Sequence, residues 1–143
     1  MKYFRPFPIA LLTFVLGVAM SPIHFYVEGM GCGKVVDGGG GFGITSYSSS
    51  YFVKLWSASE AYVSPEKADA VFNQQLSQAV NVIELGPKTN REGVVVGRRA
   101  MAIFYSPQLS KNYTEIIWTN GRFLHYIGST STMHVKDFEK QQR

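Results

Sequence analysis

The chain has 143 residues, of which 45% are apolar and 17% charged, with a formal net charge of +4 and a single cysteine. That length suits one domain plus an appendage, the composition is that of a folded chain, and one cysteine excludes an intramolecular disulfide framework. The charge is not the footprint of a nucleic-acid binder: setting aside Lys2 and Arg5, ahead of the first apolar run, leaves twelve basic residues against ten acidic, and only Arg98 and Arg99 are adjacent.

Residues 1–27 open with a short basic stretch and continue as an apolar run, residues 9–20, interrupted only by Thr13 and Gly17. This is the layout of a secretory signal, and the run is short for a membrane span. Extending it through Ile23, Phe25, Tyr26 and Val27 brings it to about twenty residues, enough to cross a bilayer. Gly17, Val18 and Ala19 also supply small residues for cleavage after Ala19. Residues 1–27 are therefore read as a signal anchor, or alternatively as a cleaved signal peptide. With Lys2 and Arg5 kept in the cytoplasm, either reading places the remainder outside it: a single-pass membrane protein, or a periplasmic or secreted one.

Residues 28–43 are dense in glycine and read as a linker, because such a segment loses too much backbone entropy in a helix or a central strand. A phosphate-binding loop fails, since Glu28 stands where glycine is needed and Val35 where Ser or Thr is needed. A dinucleotide fingerprint fails for want of a preceding strand and a following helix. Lipidation at Cys32 is disfavoured because Glu28 breaks the apolar run. Val35 and Val36 could pair locally.

The domain proper is expected over residues 44–143. Residues 52–61 alternate with period two, as a half-buried strand does, and Ser48, Ser49 and Ser50 make the turn from a shorter strand before them. In residues 64–86, Ala68, Val71, Phe72, Leu76, Ala79, Val80 and Ile83 recur at spacings of three and four, which predicts one long helix. Ser64 caps it, Pro65 suits the first helical position, Glu66 complements the dipole, and Gly86-Pro87 stops it. A strand follows over residues 93–105, with Gly97 a bulge candidate. Asn120-Gly121 between two alternating strands predicts a hairpin in which Thr119 faces Arg122 and Ile117 faces Leu124. Residues 132–142 suit a short helix with Met133 and Phe138 as its apolar contacts. Together these elements predict a two-layer α+β sandwich: an antiparallel sheet of four to five strands, one long helix on one face, and a short C-terminal helix.

No constellation with a defined chemistry emerges. His24 falls in the apolar leader, His125 shares a face with Ile116, Trp118, Phe123 and Ile127, and His134 opens a terminal helix where an exposed position is expected. Zinc needs three or four converging ligands, and nothing brings Cys32, His125 and His134 together. The serines cluster in turns, without a base held by a third group. Arg98 and Arg99 point to opposite faces of a regular strand, with a solvated strand edge or a salt bridge to Glu115 the expected fate of one. No catalytic, cofactor-binding or metal-binding residue is assigned.

The hairpin has two apolar faces. Ile116, Trp118, Phe123, His125 and Ile127 make the better core for the long helix. The other face carries Tyr113, Glu115, Ile117, Arg122, Leu124 and Tyr126. With an apolar centre and a charged rim, Tyr113, Ile117, Arg122, Leu124 and Tyr126 are the candidate partner-binding residues, unless the C-terminal helix folds back over them. The function that follows is a non-catalytic binding module of the cell envelope, tethered to the membrane through residues 1–27 and engaging an envelope protein or a second copy of itself. A small extracytoplasmic enzyme is the alternative.

Overall fold

A computed structural model describes residues 22–34 and 40–142. Its strands are β1 (Phe25–Lys34), β2 (Gly41–Ser49), β3 (Lys54–Ala61), β4 (Asn81–Thr89), β5 (Val95–Ser106), β6 (Lys111–Asn120) and β7 (Phe123–Ser129). They form one antiparallel sheet in the order β1-β2-β3-β7-β6-β5-β4. Two short helices complete the described chain, α1 (Pro65–Ser77) between β3 and β4 and α2 (Thr132–Gln141) after β7. The expected sandwich of four to five strands with one long helix is thus corrected to seven strands with two short helices.

The long helix is the largest correction. Its start is as expected: the Ser64 side chain accepts from the Lys67 N–H at 3.1 Å, and Pro65 opens the first turn. It ends at Gln78, however, and residues 81–89 form an edge strand. The predicted stripe runs past the helix end through Ala79, Val80 and Ile83. Ala79 and Val80 lie between the two elements, and Ile83 is the extra residue where the β4–β5 register slips between Val82 and Glu84, so its spacing from Val80 imitates a helix. Gly86 and Pro87 lie inside the strand, where an edge position spares proline the lost ladder bond.

The glycine-rich linker is corrected as well. Residues 25–34 pair with residues 41–49 from Phe25↔Ser49 to Lys34↔Gly41, so most of the expected tether is hairpin ladder. The cross-strand bonds offset the entropy that glycine loses, and both strands carry little side-chain bulk to place. Val35 and Val36 lie outside the described residues. So does the leader as far as residue 21. The rest of it is not helical: Ile23 is buried and Phe25 begins β1. No described helix is long and apolar enough to cross a membrane.

Each face of the sheet has its own core. Phe72 of α1 packs on Ala100, Ala102, Phe104, Ile117, Leu124 and Tyr126; Val135 and Phe138 of α2 pack on Leu55, Met101, Ile116 and Ile127. This reverses the expected faces of the hairpin. The small Ala100 and Ala102 on β5 leave room for Phe72 on the Ile117 side, so α1 takes that side and α2 the other. The register is also corrected. Asn120 pairs with Phe123 and Ile117 with Tyr126, which makes Gly121 and Arg122 the loop residues. Gly121 takes φ +60°, and glycine at the first central position marks a type II′ turn. Every partner moves by two positions, so side chains keep the faces that alternation assigned them.

Gly97, the bulge candidate, lies at a second slip in the β4–β5 register, and a Cβ there would stand 1.9 Å from the Thr119 carbonyl oxygen. Gly128 has a comparable role. A Cβ there would meet the Trp56 indole at 2.3 Å, and Gly128 pairs with Trp56 on one side and Glu115 on the other. The indole therefore reaches across β7 and donates to the Glu115 carboxylate at 3.4 Å.

Candidate functional site

The five residues read as a docking face belong mostly to the interior. Ile117 and Leu124 are fully buried, Tyr126 is buried beside them, and Tyr113 is half-buried against the same cluster. Arg122 stands apart in the hairpin turn, donating to the Tyr62 carbonyl at 3.0 Å with its guanidinium over the Phe123 ring. The face is covered, and the cover is α1 rather than the C-terminal helix.

The buried polar groups serve one another. Glu115 is pushed up to about 7, first by burial and further by the nearby Glu60 charge, against the pull of the Trp56 hydrogen bond. Tyr62 and Tyr126 both donate to Glu60, and burial raises both phenols above their ordinary range. His125 meets Ser59 at 2.7 Å and stacks between Trp118 and Phe123, with Lys88 over the outer face of Trp118 and Arg122 over that of Phe123. The ring faces of that row are already occupied. Arg98 and Arg99 do point to opposite faces, but neither meets Glu115. Arg98 reaches Asp69 and Asn73 on α1, and Arg99 reaches Glu139 and Glu84.

His134 departs from the expectation of an exposed site. It is 3% exposed, with Nε2 2.9 Å from Ser49 Oγ and Nδ1 2.9 Å from Ser131 Oγ. The spacing is that of a nucleophile and its base, but the surroundings are those of a turn lock. Ser49 Oγ accepts the Tyr51 and Val53 N–H groups, which leaves its proton for Nε2 and the Nδ1 proton for Ser131. The hydroxyl is itself buried. Cys32 and His125 share one row of the sheet, separated by Gly43 and Ser59. Among the described residues no three His, Cys, Asp or Glu side chains converge to hold a metal.

An open groove of about 740 Å³ between α2 and the β4–β5 hairpin is the candidate site. Val135 and Phe138 face the sheet, which turns Lys136 and Lys140, four apart, to one flank of α2. Across from them the turn after β4 is built on Asn90, whose side chain accepts the Glu92 and Val94 N–H groups and so positions Arg91. Arg99 forms the floor. It grips Glu139 with two bonds, 2.7 and 2.8 Å, and Glu84 with a third at 3.0 Å. These bonds outweigh burial and hold the guanidinium above even its ordinary high range.

The lining thus carries five basic side chains, Lys88, Arg91, Arg99, Lys136 and Lys140, and two acidic ones, Glu84 and Glu139. Arg99 engages both carboxylates. Arg91, Lys136 and Lys140 are exposed and form no hydrogen bond or ion pair with described residues, so the groove presents net positive potential. Long cationic side chains without an orienting partner suit an extended anion rather than one small molecule held in a fixed pose. Sequence reasoning missed these residues. The Lys136–Lys140 spacing was visible, but its meeting with Arg91, some forty-five residues away, depends on where α2 lands on the sheet. No family model, curated protein or solved structure matches this chain.

Proposed function

We propose that this chain is a non-catalytic binding module of the cell envelope, exported by residues 1–27 as an anchor or a cleaved signal, and that its groove takes an extended anionic partner. The observation that carries the reading is the groove's composition: Arg99 ties down both carboxylates, so Arg91, Lys136 and Lys140 act with little opposing charge. Export rests on the charge asymmetry about the apolar run.

The test uses the full chain in neutral detergent, titrated with inorganic polyphosphate. Binding should be saturable, should weaken with salt, and should fall sharply in Lys136→Glu/Lys140→Glu. Lys34→Glu/Lys111→Glu, at two exposed lysines on β1 and β6 outside the groove lining, is the control for net charge. Equal affinity in the groove variant and its control would overturn the assignment. A reporter active only after export, fused beyond Arg143, should be active; a stable but inactive fusion would refute the location.

A further inference from the structure

The turn between β2 and β3 holds two aromatic side chains out to solvent. Phe52 is 89% exposed and Tyr51 51%. Phe52 also sits at φ +63°, in the left-handed region that non-glycine residues rarely occupy. A strained backbone persists where its surroundings over-determine it, and they do so here. The Phe52 N–H donates to the Ser49 carbonyl, the Ser49 N–H to the Val53 carbonyl, and the Ser49 hydroxyl accepts from Tyr51 and Val53 while held by the buried His134. The fold fixes this turn from within: the Tyr51 ring packs edge-on against His134, while the Phe52 ring stands open to solvent.

The same turn grips the point where the leader enters the fold. The Ser50 N–H donates to the His24 carbonyl at 2.8 Å, and the His24 N–H returns to Ser50 Oγ at 3.2 Å. The apolar run ends at Met20, and only residues 21–23 separate it from His24. Extended chain covers at most about 3.6 Å per residue, so His24 lies within roughly 15 Å of the end of that run. With Ile23 buried and Phe25 in β1, the fold begins within a few residues of the apolar run. Residues that directly follow a membrane-inserted run sit at headgroup level, the depth at which aromatic rings concentrate.

We propose that the Tyr51-Phe52 turn is an interfacial anchor, which inserts its two rings into the bilayer surface that the leader engages and so orients the domain against it. The anchor rests on the reading of residues 1–27 as a retained membrane segment and is independent of the groove. A rigid turn loses little conformational freedom on insertion, which explains a buried Ser49–His134 lock beneath an exposed loop.

The experiment places the full chain in phosphatidylcholine bicelles and records nuclear Overhauser contacts between protein side chains and lipid acyl protons. The Tyr51 and Phe52 rings should show acyl contacts, while the Phe42 ring, exposed at the opposite end of β2, should show none. Phe52→Gly is the paired variant, because glycine adopts the same φ without strain. It should keep or raise the melting temperature while the Tyr51 contacts with acyl protons fall. Contacts absent from both rings would overturn the proposal, as would Tyr51 contacts unchanged in Phe52→Gly. Polyphosphate binding should be equal in Phe52→Gly and the parent, so failure here is distinguishable from failure of the groove.

Discussion

Replacing Arg99 by Met removes the bidentate partner of Glu139 and the third bond to Glu84 in one step. The Arg99 side chain is 18% exposed and that of Glu139 8%, so solvent would screen the loss only in part. Breaking a buried pair from one side costs about 3–5 kcal/mol; the exposed Glu84 contact adds little, so about 3 kcal/mol is expected, or a fall of roughly 10 °C in melting temperature for a chain of this size. Glu139→Leu should cost less, because Arg99 keeps Glu84 and a path to water. The double variant Arg99→Met/Glu139→Leu replaces the pair with apolar groups beside Phe138 and should recover most of the loss. Urea unfolding of all four proteins yields a coupling energy of about 2 kcal/mol on this reasoning. A coupling energy near zero, with Arg99→Met as stable as the parent, would refute the view that this cluster clamps α2 to the sheet. The same substitution removes one positive charge from the groove lining, so polyphosphate affinity should fall with stability.

Phe72 is fully buried beneath the Arg98 guanidinium, so Phe72→Ala should cost about 3–5 kcal/mol while Gln74→Ala, on the exposed side of α1, should cost almost nothing; equal melting temperatures would show the helix to be wrongly oriented. Leu124→Glu puts a carboxylate into the core under α1 and should unfold the domain by circular dichroism; a variant that keeps its melting temperature would reopen that face as a docking surface. Glu115 gives a pH signature. Its acid is raised from about 4.5 to about 7, so the fold retains a proton that the unfolded chain releases. The resulting stability is complete below pH 4.5 and is lost as pH rises through 7, on the order of 3 kcal/mol. His125 and His134 act in the opposite sense, since burial lowers both and their stabilisation is lost as pH falls. Subtracting the stability–pH curve of Glu115→Gln from that of the parent isolates the carboxyl, and a flat difference would contradict its burial.

The features that the sequence determined by itself are those decided within a few neighbouring residues. Ser64 and Pro65 start α1 because cap chemistry is local, and Phe72 faces the sheet because the 3.6-residue repeat sets its side. Alternation placed Arg98 and Arg99 on opposite faces and sorted the residues of β6 and β7 correctly, even though the turn advanced by one residue to Gly121-Arg122, since a two-position change of partner leaves the faces intact. Three matters were decided only in the tertiary structure. Residues 81–89 became a strand because the β5 edge was there to pair with and a bulge absorbed the extra residue. The glycine-rich residues 25–34 became a strand for the same reason, a ladder supplied from outside outweighing a poor local propensity. The covering of each sheet face depended on Ala100 and Ala102 making room for α1 and on the α2 stripe of Val135 and Phe138 landing on the other side. The groove follows from that landing. Lys136 and Lys140 meet Arg91 only because β4 and β5 stand beside α2, and a one-dimensional pattern carries no information about contacts that the fold creates between distant segments.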